Sequence, residues 1–162
     1  MGEGISGKVI KFTKVKGPEI NLPYPVAAST VFKHLSGAFV YLDSNQRIAL
    51  AGAAQTELLG WAFTGEWTSA STAGQTILGV NISLDAVYCM PLDAARTETQ
   101  LRSYVGKTCD IITTSNIQYA DFDASATDVL QIVGYEYWGS AAGEQGLWVK
   151  LNPTKVAATG VV

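Results

Sequence analysis

The sequence predicts a mainly β protein made of two related β-barrel or tulip-like units. A short helix links them and an extended N-terminal arm precedes them. Three observations carry this. Segments such as VYL, RIAL, ILGVNI, AVYCM, CDII, VLQIVGYEY and LWVKL are rich in β-branched and aromatic residues and alternate with period two. Sixteen glycines and the clusters Asp43-Ser44-Asn45 and Thr114-Ser115-Asn116 separate them. Asn and Asp tolerate left-handed backbone and bond their own chain, which suits turns. Finally, the chain matches itself.

The self-match pairs GAFVYLDSNQRIAL from Gly37 with GKTCDIITTSNIQYA from Gly106. Each has a glycine, two alternating apolar residues (Val40 and Leu42; Cys109 and Ile111) and a Ser-Asn turn. LLGWAF then pairs with IVGYEY, aligning Trp61 with Tyr135. GQTILGVNIS from Gly74 pairs with GEQGLWVKLN from Gly143. Leu78, Val80 and Ile82 align without a gap on Leu147, Val149 and Leu151. Both ends are offset by 69 residues, which defines units 37–83 and 106–152 of about four strands each.

Taken in order, KVIKFTKVK alternates and reads as a lone strand in need of a sheet. GPEINLPYPVAAS holds Pro18, Pro23 and Pro25, and the pre-proline restriction favours an extended connector. The expected organisation is an arm and connector over 1–30, a first β unit over 31–90, a helical linker over 91–105, a second β unit over 106–152 and a loose tail over 153–162. In the linker PLDAARTETQLRSYVG, Asp93 is a candidate N-cap, Glu98 and Arg102 are an i,i+4 pair and Gly106 is a stop. Interior Gly60, Gly79 and Gly134 suggest bulges or bends, as in a closing barrel.

Composition excludes several classes. The 162 residues are 48% hydrophobic and 15% charged, with a net charge of -3. This argues against a general nucleic-acid binder. No apolar run reaches the length of a membrane span, and MGEGISGKVIKF lacks the apolar core of a secretory signal. The charge is uneven: four lysines against two glutamates over 1–20, seven acids against three bases over 81–130. A basic arm on an acidic body reads either as a docking device or as a frayed, solvated terminus.

Chemistry-bearing residues are few. Cys89, Cys109 and His34 are scattered, short of the ligand set zinc uses, and both cysteines read as buried thiols. The loop DFDASATD, with Asp121, Asp123, Ser125 and Asp128, resembles the start of a calcium loop. It has Ala126 where that loop needs Gly and Ile132 where it needs a bidentate Glu, so it reads as a solvated loop. No nucleophile signature surrounds a serine or cysteine, and one histidine gives acid-base catalysis few partners. The glycines of STAGQTILG fit no phosphate-binding motif. Asn81-Ile82-Ser83 matches a glycosylation sequon but lies in an expected strand. The chain therefore reads as non-enzymatic, with no metal and no cofactor. Of the aromatic residues, most are expected in the core, while Trp61, Trp67 and Trp138 are candidate protein-contact anchors.

The run GAFVYLDSNQRIALAG, LLGWAF and AGQTILGVNIS resembles the small β proteins that decorate tailed-phage heads. VGKTCDI, SNIQYAD, VLQIVGYEY and LWVKLNP are similar to barrel halves of other phage virion proteins. The likeness covers about 37–152 and is a pattern of strands and turns. It implies a decoration, or cement, protein made in the host cytoplasm and bound to the outside of the mature capsid. Its partners would be the major capsid protein and, as a homotrimer, itself, with no membrane and no direct nucleic-acid contact. An N-terminal arm carrying Lys8, Lys11, Phe12, Lys14 and Lys16 would add a strand to the shell, and a body lacking residues 1–20 would still fold. The alternatives are a tail or neck component, or a soluble carbohydrate- or nucleic-acid-binding barrel.

Overall fold

The computed structural model describes residues 12–34, 36–121 and 127–157. The first half contains β1 (Thr13–Lys16), β2 (Asn21–Pro25), β3 (Val31–Phe32), β4 (Ala38–Leu42), β5 (Ile48–Leu50), β6 (Gly60–Ala62), β7 (Trp67–Thr68) and β8 (Ile77–Asn81). The second contains β9 (Val87–Pro91), α1 (Glu98–Tyr104), β10 (Thr108–Thr114), β11 (Ile117–Asp121), β12 (Leu130–Tyr137) and β13 (Gln145–Leu151). The fold is mainly β.

The duplication is explicit in the pairing. One five-stranded antiparallel sheet runs β2-β8-β6-β4-β5, a six-stranded one runs β9-β13-β12-β10-β11 with β1 added outside β9, and β3 pairs with β7 as a separate two-stranded sheet. The five-strand orders are the same, and so are the registers. Pro25↔Ile77 and Tyr24↔Leu78 correspond to Pro91↔Gly146 and Met90↔Leu147. Trp61↔Asn81 and Ala62↔Val80 correspond to Gln131↔Lys150 and Ile132↔Val149. Leu42↔Ile48 corresponds to Ile111↔Ala120. The two ends of each sheet also meet in one parallel bridge, Val26↔Ile48 in the first and Leu92↔Ala120 in the second. Each sheet thus curls until its ends touch at a single point.

The registers revise the sequence alignment in two ways. Each repeat gains a strand at its start, so the repeats begin at Asn21 and Val87 rather than Gly37 and Gly106. The missed signal is the strand end Tyr24-Pro25-Val26, repeated as Met90-Pro91-Leu92. The LLGWAF and IVGYEY match also slips by four residues. Trp61 corresponds to Gln131, because hydrogen-bond register, rather than the shared Gly-aromatic pattern, decides which residues face each other.

The expected arm and connector are part of this fold. β1 pairs with β9, and β2 is an edge strand with its prolines on the rim. Gly17, between them, has φ +98 and packs so close to Asp85 and Ala86 that a Cβ would collide with their backbone. A chain cut at residue 20 would therefore lose an integral strand. The tail is also ordered through Ala157. Leu58 N–H donates to the Lys155 carbonyl at 2.9 Å, and Ala157 N–H donates to the Leu58 carbonyl at 2.8 Å. Residues 158–162 lie outside the described residues.

Helix α1 starts later than Asp93. Thr97 is its N-cap, in a reciprocal capping box with Gln100, and Asp93 instead lies 3.7 Å from Arg96. Tyr135 on β12 donates its hydroxyl to Glu98 at 3.1 Å, holding the helix to the second sheet.

Both sheets share one apolar core. Tyr88 of β9 packs against Phe39 and Trp61 of the first sheet, with ring centroids 5.2 and 4.9 Å apart. Phe12, just before β1, fills the same cluster at 5.5 Å from Phe39 and 4.5 Å from His34. Gly37 turns into β4 with φ +134, where a Cβ would collide with the Ala62 carbonyl.

Candidate functional site

Two polar side chains, Gln118 and His34, are built into the junction between the sheets. Gln118 is the centre of it. It sits on β11, is 0% exposed, and reaches across to the first sheet. Its Oε1 accepts from Phe39 N–H at 2.9 Å, and its Nε2 donates to the carbonyls of Phe39 and Ala51, both at 2.8 Å. Its own backbone N–H donates to Nε2 of His34 at 2.9 Å. His34 is thus a neutral acceptor at a strand edge, and burial lowers its pKa to about 4.

The thiols are similarly confined. Cys109 is 0% exposed, and burial, with Asp110, Asp121 and Asp128 adding, pushes its thiol well above the usual range. Cys89 donates its thiol to Glu136 at 3.0 Å, and Trp138 Nε1 donates to the same carboxylate at 3.3 Å. Asp110 is buried and accepts from the backbone N–H of Thr127 and Asp128, so it caps the end of the acidic loop. Asp123 and Ser125 lie outside the described residues. Among the described residues no group of three His, Cys, Asp or Glu could hold a metal ion.

Asn81 is 0% exposed. Its Oδ1 accepts from the N–H groups of Ile20 and Ser83, and its Nδ2 donates to the Pro18 carbonyl. It therefore fixes the turn between β1 and β2 and offers nothing to a glycosyl transfer.

The sequence-predicted contact residues separate. Lys8 and Lys11 lie outside the described residues. Phe12 is 4% exposed and belongs to the core, because its ring is sandwiched by the junction aromatics. Lys14 pairs with Glu19 at 3.0 Å, and the Lys16 ammonium stands 5.9 Å over the Trp148 ring. Both belong to a strand already paired with β9. Trp61 is 1% exposed and presents no surface to a partner. Trp67 is half-buried and stacks on Phe32, while Trp138 is half-buried beside Glu136.

Sequence reasoning passed over Gln118 and weighed Asn81 only as part of a glycosylation sequon. A signal existed for Gln118: in IQYAD it shares the inward parity with Ala120, a polar residue at an apolar position. Among the described residues no helix is long and apolar enough to cross a membrane.

The fold and its junction define a class: a doubled antiparallel β body in which a buried Gln118 bonds the second sheet to the first. Comparison with family models, with curated proteins and with solved structures returns no match.

Proposed function

We propose that this chain is a non-enzymatic virion protein that binds the outside of a mature phage capsid and stabilises it. The observation that carries the reading is the doubled body, in which His34, Cys89, Asp110 and Gln118 are all engaged in internal contacts. A duplicated body with these four residues held in internal contacts suits a lattice-binding role. A protein that binds the assembled shell and not its free subunits stabilises the shell by mass action.

The contact with the major capsid protein falls to residues 1–11, which carry Lys8 and Lys11, because Phe12, Lys14 and Lys16 already have partners within the fold. Strand addition by this segment would supply main-chain hydrogen bonds, and its lysines would favour an acidic shell. Of the three candidate anchors, Trp67 and Trp138 are half-buried and keep surface for a contact with the shell or within a homotrimer, and Trp61 does not.

Co-sedimentation of the purified protein with matured and with unexpanded capsids tests this. Saturable binding to the matured shell alone is expected. Binding to neither shell would sink the decoration reading. A chain lacking residues 1–11 should bind at least about tenfold more weakly, a loss of about 1.4 kcal/mol. Undiminished binding would remove the arm from the proposal.

A further inference from the structure

His34 is the single histidine of the chain, and two parts of the fold converge on it. It lies in the irregular segment between β3 and β4, half-buried, so its ring can turn without breaking a strand ladder. Its Nε2 accepts the backbone N–H of Gln118 on β11 at 2.9 Å. The Phe12 ring stands edge-to-face with the imidazole, centroids 4.5 Å apart. Phe12 leads directly into β1. That strand is four residues long, lies at the rim of its sheet and carries a register shift between Lys14 and Lys16. A short, irregular rim strand opens at low free energy unless something anchors it, and Phe12 is the core residue that does so.

An imidazole accepts a hydrogen bond only when neutral; in the cation both ring nitrogens are donors. Protonated His34 would therefore meet the Gln118 N–H donor to donor. Burial opposes the charge, so the closed form holds at neutral pH and is lost as pH falls toward about 4. Charged groups on the neighbouring elements are engaged elsewhere. Lys33 pairs with Glu66 and Lys14 with Glu19. On β11, Tyr119 and Asp121 alternate away from the Gln118 side chain, and Asp121 lies opposite Asp110. On β9, burial keeps Tyr88 a neutral phenol. The Gln118 side chain bonds Phe39 and Ala51 through groups that do not titrate. We infer that His34 is an acid-opened latch: its protonation loosens Phe12 and β1 from the body while Gln118 keeps the two sheets joined. Residues 1–11 lead into Phe12, so the latch also holds the root of the segment proposed to contact the capsid, although it does not rest on that contact.

The test is amide hydrogen exchange of the full chain between about pH 7 and about pH 4, read as protection relative to the intrinsic rates. Protection across residues 13–16 should fall at least about tenfold more than protection across β4 and β6. His34→Gln supplies an acceptor that does not titrate and should remove that excess. Glu19→Gln deletes the ion pair with Lys14 and should leave the excess in place. Equal loss in β1 and in the sheets would overturn the inference, as would an unchanged acid response in His34→Gln. Loss of the response in Glu19→Gln would assign it to the ion pair instead. Should His34→Gln fail to fold, the wild type decides, because a single histidine gives one set of imidazole proton signals. Their titration must share its midpoint with the loosening of β1, and a gap of more than about one pH unit would overturn the latch.

Discussion

Replacing Gln118 with Met removes the polar lock between the sheets while nearly conserving volume. The consequences can be worked bond by bond. Phe39 N–H loses its Gln118 acceptor and is left buried, at about 1–3 kcal/mol. The Phe39 carbonyl keeps the Ala51 N–H at 3.1 Å, and the Ala51 carbonyl keeps the Thr113 hydroxyl at 3.0 Å. Each therefore loses only a second bond, about 0.5–1.5 kcal/mol apiece. The expected loss is about 2–6 kcal/mol, a large part of the total stability of an ordinary domain. Urea unfolding at neutral pH would show it as a lower midpoint with unchanged slope. Native-state exchange should show the Phe39 amide losing protection. A loss below about 1 kcal/mol with Phe39 still protected would refute the claim that Gln118 holds the sheets together.

Further outcomes follow from the same contacts. His34 titrates near 6.5 when unfolded and at about 4 when folded, so its contribution to stability is intact above pH 6.5 and is lost as pH falls toward 4. The ring is partly open to solvent, so the loss is about 1–2 kcal/mol rather than the full linkage value. His34→Gln should flatten that window, and superimposable wild-type and variant pH profiles would exclude the effect. Asn81 should remain unmodified in a glycosylating host, since its amide is buried and bonded to Pro18; intact-mass measurement decides it. Both thiols should resist a disulfide reagent in the native state and react on unfolding, Cys109 being the slower where the two are resolved. Truncation after Asn152 removes the two backbone bonds to Leu58 and bares a core side chain. It should cost about 1–3 kcal/mol in urea unfolding.

The sequence by itself determined the strands whose alternation is strong, the turns at Ser44-Asn45 and Ser115-Asn116, and the repeat of Val40 and Leu42 in Cys109 and Ile111. These are local signals: side-chain period and turn chemistry act within a few residues. Tertiary structure decided what depends on pairing between distant segments. β2 was hidden because prolines weaken the local strand signal, and only its place at a sheet rim lets them be tolerated. Trp61 and Tyr135 look alike in sequence but fall four residues apart in register, because the hydrogen-bond ladder selects partners by backbone geometry. Phe12 looked like part of a free arm and is core, because its burial comes from Phe39, Trp61 and His34, residues far along the chain. Gln118 acquires its role only where the second sheet meets the first, since a buried amide is stable only when distant backbone groups arrive to satisfy it.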